Sequence, residues 1–283
     1  MLSADPVDLV WLLTSAALVL FMQAGFTALE SGLVRTKNSI NVAIKNFANL
    51  LVAAAIFWLF AFGVIFAPTG GAVIGTSWFF LDSESAPVVA FFLFQLGFIA
   101  TATTLISGAV AERMRFAGYL AVTVLVAALL YPLFGRWAWG DANLTTERGS
   151  DGWLRELGFV DFAGSTVVHS MGGWVALAAI VLIGARIGRF GPGAAPIRGS
   201  NLPLTTLGVF ILWVGWFGFN GGSLYGLTSE VPSVILNTTL AAAFGGLTGM
   251  ALSWFLMGRP DVVGIMNSAL AGLVGITASA NIM

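Results

Sequence analysis

The chain has 283 residues, of which 58% are hydrophobic and only 9% are charged, and its net charge at pH 7 is −1. Soluble domains carry about 25% charged residues, so the composition indicates a membrane protein, and the lack of a basic surface excludes a nucleic-acid-binding protein. The chain contains no cysteine and one histidine, which excludes disulfides, thiolate metal sites, cysteine nucleophiles and a histidine-rich metal site within one chain. With no phosphate-binding loop and no nucleophilic triad, we expect neither an enzyme nor a bound cofactor.

Eight apolar segments are long enough to cross a bilayer, which takes about 20 residues. We interpret the first as a membrane helix rather than a cleavable signal peptide, because Asp5 and Asp8 stand where a basic segment belongs and the apolar run is too long. The sequence therefore predicts an all-α polytopic membrane protein with spans at about 7–31, 40–67, 87–111, 116–138, 161–185, 203–222, 232–257 and 260–281.

Basic side chains concentrate in the loops after the first, third, fifth and seventh spans, whereas the opposite loops are mostly acidic. By the positive-inside rule this pattern predicts that the N-terminus lies outside the cytoplasmic membrane. The longest outer loops, at about 68–86 and 139–160, are rich in Gly, Ser, Asp and Trp, and we expect them to form an ordered vestibule. The basic residues of the inner loops are Arg35, Lys37, Arg113, Arg115, Arg186, Arg189, Arg198 and Arg259.

The first and sixth spans share a short Gly-Phe pattern, at residues 24–26 and 217–219. Five spans precede the sixth, an odd number, so a repeat that begins there has inverted topology, which is a common plan among transporters. We therefore predict one membrane domain over residues 1–283, with a first repeat of five helices at about 1–187 and a partial second repeat of three helices at about 200–283.

The only histidine, His169, stands about two turns inside the predicted fifth span. An imidazole at that depth is costly unless it has a partner or lines a cavity, so we predict a functional residue; a histidine that only hydrogen-bonds across helices is the alternative. Asp161 lies eight residues earlier, about 12 Å away along the axis and about 80° round the helix, so the two side chains cannot touch. We predict that Asp161 caps the fifth span, with a direct proton acceptor as the alternative.

Aromatic side chains collect near the outer ends of three spans. Phe94 and Phe98 are four residues apart and share a helix face, Trp139 ends the fourth span, and Phe219 and Ser223 lie near the end of the sixth. Most aromatic residues of membrane proteins belong to interfacial belts or to the core. If Trp, Phe and Ser side chains converge at the outer mouth, however, they can hold a small cation by cation–π attraction with a hydroxyl as hydrogen-bond acceptor.

Polar residues also stand near the inner ends of the first two spans. We expect Glu30 to form a structural network with Asn38, Asn46 and Asn49, and Lys45 to reach the membrane interface with its long side chain.

Five stretches with distinctive spelling are spread over almost the whole chain: FMQAG at 21–25 with GLVRTKN at 32–38, FQLGF at 94–98 with SGAVAER at 107–113, DFAGSTVVH at 161–169, GWFGFNGGS at 215–223, and SALAGLVGIT at 268–277. On these stretches the chain resembles the ammonium transporter family, the Amt branch of the Amt/Rh superfamily. The resemblance implies an eleven-helix, N-out, homotrimeric transporter with a pore through each protomer, which carries ammonium or its analogue methylammonium.

The resemblance also implies roles for the outer aromatic residues. Phe98 and Phe219 match the stacked phenylalanine gate of the family. Phe94, Trp139 and Ser223 match its external ammonium-recruitment site, of which Phe98 forms the floor.

Below the gate, Asp161 matches the buried aspartate of the family and His169 matches the first of two pore histidines. The implied mechanism captures NH4+ outside, separates its proton below the gate and passes NH3 along the apolar pore. A proton relay along the two histidines is an optional part of it.

One departure concerns the second pore histidine, which the family carries on its tenth helix. Here the chain stops after the eighth predicted span, so we expect a fragment of a longer protein, and a non-conducting fragment is one alternative. A PII-type regulator or a fused signalling domain is expected only in the full-length protein. The spelling of residues 159–174 looks like a subset of the family that includes such fusions, so an ammonium sensor is the other alternative to a transporter.

Overall fold

The computed structural model describes residues 2–83, 85–140 and 152–282. Among these residues the fold is a bundle of long helices without a β-strand, apart from one isolated bridge between Gly70 and Gly75. The long helices are α1 (Pro6–Leu33), α2 (Thr36–Phe66), α3 (Ala86–Ala109), α4 (Phe116–Trp139), α5 (Ser165–Ile183), α6 (Leu202–Leu224), α7 (Val231–Met257) and α8 (Val262–Ile276).

Helices α1 to α7 are long and apolar enough to cross a membrane, which confirms seven of the predicted spans and a multi-pass membrane protein. Several begin where the sequence provides a helix start. Proline stands in the first turn of α1, α3, α6 and α7, where its missing N–H costs no hydrogen bond. The side chain of Asp5 accepts the N–H of Val7 at 2.8 Å and so caps α1.

The predicted eighth span was too long. Helix α8 has 15 residues, or about 22 Å, which is shorter than the apolar thickness of a bilayer. It ends because the next carbonyl groups turn sideways: Thr277 O accepts the N–H of Ala163, and Ala278 O accepts the N–H of Phe162, each at 3.0 Å. These bonds tie the end of α8 to the segment that leads into α5.

Helix α1 packs most extensively along α6 and then along α3. Small residues make the close approach possible. At Gly218 of α6 a Cβ would lie 2.7 Å from Leu18 Cβ, and at Gly97 of α3 it would lie 3.0 Å from Val19 Cβ. Both glycines therefore hold their helices against the same stretch of α1.

The loop between α2 and α3 is anchored to α4 by the fully buried Arg136. Its guanidinium group donates to the carbonyl oxygens of Ile65, Ala67 and Gly71 at 2.8–3.1 Å. The first part of the predicted vestibule is therefore ordered. In the second outer loop, residues 141–151 lie outside the described residues, as does Glu84 of the first.

Candidate functional site

Two phenylalanine rings form the centre of the candidate site. Phe98 on α3 and Phe219 on α6 are stacked, with ring centroids 4.0 Å apart and planes 16° from parallel. Both side chains are buried. Because α3 and α6 both pack against α1, the two rings meet although 121 positions separate them in the sequence.

Two further aromatic side chains, those of Phe94 and Trp139, pack near Phe98. The Phe94 ring lies 4.8 Å from that of Phe98, as expected for neighbours one helical turn apart, and the Trp139 ring lies 6.2 Å away in an edge-on arrangement. The structure therefore brings together the three aromatic residues predicted for the outer site. An aromatic pocket of this kind attracts a small cation to the faces of its rings.

Ser223 joins this group through the last turn of α6. Its hydroxyl donates to the carbonyl oxygen of Phe219 at 2.9 Å, which leaves the lone pairs of its oxygen free to accept a further donor. The neighbouring Gly222 faces Phe94: a Cβ there would lie 2.6 Å from Cε2 of the ring. Glycine at this position lets the Phe94 ring approach the end of α6.

Asp161 organises the start of α5 and also holds Trp139. Each carboxylate oxygen accepts two backbone N–H groups, those of Gly164 and Ser165 on Oδ1 and those of Thr166 and Val167 on Oδ2, at 2.8–3.0 Å. Its carbonyl oxygen accepts the indole N–H of Trp139 at 2.7 Å. Asp161 thus satisfies the free donors of a helix start, and α5 begins at Ser165 rather than at 161.

Helix α5 opens with a wide turn. Residues Ser165–Ser170 form a π-helix, preceded by Gly164 with φ of 96°, a left-handed conformation that glycine adopts without strain. The backbone N–H of His169 bonds to the carbonyl oxygen of Gly164, five residues earlier, at 3.1 Å. Such π turns are frequent at functional sites, and this one presents His169 towards α6.

His169 lies beside Phe219 and Trp216 of α6. Its ring is 5.5 Å from that of Phe219 and is stacked on that of Trp216, 5.0 Å away and 19° from parallel. Nδ1 lies 3.1 Å from the carbonyl oxygen of Gly164. Because a carbonyl oxygen can only accept, the neutral ring carries its proton on Nδ1 and leaves Nε2 as an acceptor.

Nε2 of His169 is buried and has no hydrogen-bond partner among the residues that the structure describes. A buried acceptor without a partner is unfavourable in an apolar protein interior. The atom is therefore suited to accept a hydrogen bond from a small donor. Asp161 and His169 both bond to Gly164, which links the cap to the histidine.

Sequence reasoning missed Trp216, whose indole forms one wall beside His169. The indole N–H donates to Thr277 Oγ1 at 2.8 Å, and Thr277 follows α8 directly. The spacing contained a signal, because Trp216 precedes Phe219 by three residues and so shares its helix face. No sequence signal pointed to Thr277, since its role depends on how α8 packs against α6.

Tyr225 was also missed. It follows α6 in a left-handed conformation, and its ring lies 5.1 Å from Phe91 and 6.4 Å from Phe94. Burial raises the pKa of Tyr225 to about 12, so its hydroxyl stays neutral beside the aromatic pocket. Within residues 2–83, 85–140 and 152–282, no three or more Asp, Glu and His side chains come together as a metal site would require.

Comparison with known proteins gives consistent matches over all these elements. The model of the Ammonium Transporter Family matches residues 10–283. The Synechocystis protein sll0537 is 53% identical over 281 residues, which are 98% of this chain and 52% of that protein. Ammonium transporter Amt2 of Archaeoglobus fulgidus is 44% identical over 278 residues, or 96% of this chain and 59% of that protein.

A solved structure described as a sensor Amt protein superposes on 97% of this chain with a TM-score of 0.92 and 41% identity, and the chain covers 69% of it. This chain thus spans roughly half the length of the curated relatives it matches.

Proposed function

The chain belongs to the ammonium transporter family, and we propose that the protein moves ammonium across the membrane through the passage beneath Phe98 and Phe219. The family is one of transporters, and we propose no catalytic activity. The observation that carries the proposal is the buried acceptor Nε2 of His169 directly below the stacked gate. A channel for an apolar gas needs no such acceptor, whereas ammonia can donate to it.

Capture takes place at the outer pocket. NH4+ binds against the rings of Phe94, Phe98 and Trp139, which compensate part of its lost hydration by cation–π attraction. The oxygen of Ser223 accepts one of its hydrogen bonds. Since the gate below is apolar and closed by the Phe98–Phe219 stack, the ion separates into neutral NH3, which passes, and a proton, which a relay past His169 carries inwards. Each transported ion therefore moves one charge.

Below the gate, NH3 donates to Nε2 of His169. The Nδ1–H bond to Gly164 holds the ring in the tautomer that accepts, and Trp216 holds its plane. Asp161 acts indirectly, because it positions Trp139 and the turn that carries His169.

The experiment measures ammonium-evoked currents and methylammonium uptake in liposomes that contain the protein or its His169→Ala variant. We expect the variant to change conduction or ion selectivity, while ammonium binding at the outer pocket, followed by tryptophan fluorescence, stays close to that of the unchanged protein. Unchanged transport and proton coupling in His169→Ala would contradict a pore role for the histidine.

A second candidate function is that of an ammonium sensor, which binds at the outer pocket and conducts little. The likeness to the structure described as a sensor Amt protein, at 41% identity, favours it. Correctly inserted protein that binds ammonium but gives neither current nor uptake would support the sensor and contradict the transporter.

We further propose that the chain forms a homotrimer in the cytoplasmic membrane with its N-terminus outside, and that residues 1–187 and 200–283 are the two inverted repeats. The close packing of α1 along α6, the first helix of each proposed repeat, supports this division. A PII-type regulator or a fused signalling domain would act on the full-length protein. Mass measurement of detergent-solubilised protein tests the trimer.

A further inference from the structure

A second buried polar cluster lies between α1, α2 and α3. It has no part in the proposed steps of capture and passage. The carboxyl group of Glu30, 6% exposed, contacts Ser107 Oγ at 2.6 Å from Oε1 and 2.5 Å from Oε2. Asn46 Nδ2 donates to Oε2 at 3.1 Å. Ser107 follows Phe98 by nine residues, so the cluster lies about 14 Å further along α3 than the gate.

The cluster has fewer hydrogen-bond donors than its acceptor oxygen atoms require. Ser107 Oγ also lies 2.9 Å from Asn46 Oδ1 and 2.8 Å from the carbonyl oxygen of Thr104, so one hydroxyl proton faces four acceptors. If the amide of Asn46 is turned by 180°, its oxygen faces Glu30 Oε2 instead, and these two acceptors again lack a proton between them. The contacts fit a protonated carboxyl group, which donates to Ser107 Oγ while Ser107 donates onward to Asn46 Oδ1 or Thr104 O.

Glu30 also lines a cavity of about 880 Å³. The cavity lies below the gate on the same helices, because Leu105 of α3 and Ile180 of α5 line it, seven residues after Phe98 and eleven after His169. These offsets correspond to about 10 and 16 Å. Gly108 leaves the carboxyl uncovered on the cavity side, since a Cβ there would lie 3.1 Å from Glu30 Oε1.

The other charged groups around the cluster are mostly basic. On α2, Lys45 donates to the carbonyl oxygen of Met114 at 2.7 Å and lies over the ring of Tyr119 on α4. On the opposite side of the cavity, Asp261 caps α8 by accepting the N–H of Gly264. The guanidinium groups that line the cavity are those of Arg113, Arg186, Arg189 and Arg198.

This surplus of positive charge disfavours a cation that rests in the cavity. Neutral ammonia meets no such barrier. A positive ion formed at Glu30 is attracted by the carboxylate, whereas the arginine side chains repel it from the cavity.

We propose that Glu30 is a proton-exchange residue for ammonia at the inner end of the passage, an inference that rests on the proposed function. The Glu30 O–H bond breaks and an N–H bond forms, so NH3 becomes NH4+ and the electron pair stays on the carboxylate. The ion leaves the cavity into the surrounding water, and a hydronium ion from water in the cavity returns a proton to the carboxylate.

The test combines infrared difference spectroscopy with current measurement on the protein in liposomes. Without ammonium, we expect the unchanged protein to show the C=O stretching band of a protonated carboxyl group. This band should disappear when ammonium is added, and Glu30→Gln should lack it. The current of Glu30→Gln should fall on the order of tenfold or more, because a positioned acid–base group contributes about 10²–10⁴-fold. The ammonium concentration at half-maximal binding to the outer pocket should stay the same.

Glu30→Asp keeps an exchangeable proton and should retain part of the band and part of the current. Glu230→Gln, which changes an exposed carboxylate before α7, should behave like the unchanged protein. If Glu30→Gln does not insert correctly, Ser107→Ala tests the same cluster, and the Glu30 band should then shift because its partner is gone.

Wild-type current in Glu30→Gln, or an unshifted band in Ser107→Ala, would overturn the inference and leave transport itself intact. The opposite result can also be distinguished. If the protein shows a Glu30-dependent band that responds to ammonium but gives no current, the result supports proton exchange at Glu30 and contradicts transport.

Discussion

Trp139 contributes to the outer pocket through both parts of its indole. Its ring edge packs against Phe98, while its N–H is fixed to the carbonyl oxygen of Asp161. The hydrogen bond orients the ring, and in the function that we propose the ring surface attracts the cation. In that proposal the aromatic surface is one of several contributions to capture, beside Phe94 and Ser223.

Trp139→Leu should therefore weaken ammonium binding rather than abolish it. A cation–π contact contributes about 0.5–2 kcal/mol, which corresponds to an affinity about 2- to 30-fold lower. The measurement is the ammonium concentration at half-maximal current. Trp174→Leu, at an exposed tryptophan of α5, is the matched control and should leave this value unchanged. Equal effects of the two substitutions would contradict the outer site.

At the scale of helices, the start of α5 depends on one carboxylate that serves four backbone donors. An ordinary cap serves one or two. The extra bonds are needed because the π turn and the preceding Gly164 leave these N–H groups without helical partners.

Asp161→Asn should destabilise the protein, because the amide offers one acceptor oxygen where the carboxylate offers two. Two N–H groups, one buried and one partly buried, then lose their partner, at about 1–3 kcal/mol for a fully buried group. Thermal unfolding in detergent measures the loss. Asp261→Asn, which affects a single bond at the exposed start of α8, should cost about 1 kcal/mol or less. A smaller loss for Asp161→Asn than for Asp261→Asn would contradict this account.

Hydropathy predicts α1 to α7 because a bilayer imposes length and apolarity on each span. It cannot predict where α8 ends, since Thr277 and Ala278 turn their carbonyl groups to residues more than a hundred positions earlier. The expected position of Lys45 at the interface was wrong for a similar reason: the side chain is 1% exposed, and its ammonium group bonds to the carbonyl oxygen of Met114.

Within the candidate site, the pairing of Phe94 with Phe98 follows from helical spacing alone. The π turn at His169 could not be predicted in this way, because it does not change the spacing of the apolar residues. Of the predicted network around Glu30, Asn46 takes part, whereas Asn38 bonds to Glu112. Which partner each amide finds depends on how three helices meet.

For the whole molecule, Glu112 joins three inner loops. It stands between α3 and α4, accepts the backbone and side-chain N–H groups of Arg35 after α1, and accepts Arg186 after α5, each at 3.0 Å. Burial alone would raise the pKa of Glu112, but the hydrogen bonds from Arg35, Asn38 and Arg186 outweigh it and hold the pKa at about 2.

This junction should make stability depend on acid. Because the folded pKa of Glu112 is depressed, its contribution is fully present above the unfolded value near 4.5 and is lost as the pH falls to about 2. Arg35 is partly exposed, so we expect a contribution of about 2 kcal/mol. Glu112→Gln should lower the melting temperature in detergent at pH 7 and flatten its decline between these pH values. An unchanged decline would contradict the assignment.

The glycines beside the stacked rings of Phe98 and Phe219 have a consequence for how the proposed passage opens. Phe98 follows Gly97 and Phe219 follows Gly218, and both glycines press their helices onto residues 18–19 of α1. The backbone beside each of the stacked rings is therefore clamped to α1. Rocking of one half of the bundle against the other would have to break this clamp, which is the slow, collective kind of motion that takes microseconds to milliseconds. Rotation of the two rings about their own side-chain bonds leaves the clamp intact, so we expect each passage to be timed by rotamer changes rather than by a conformational cycle of the molecule.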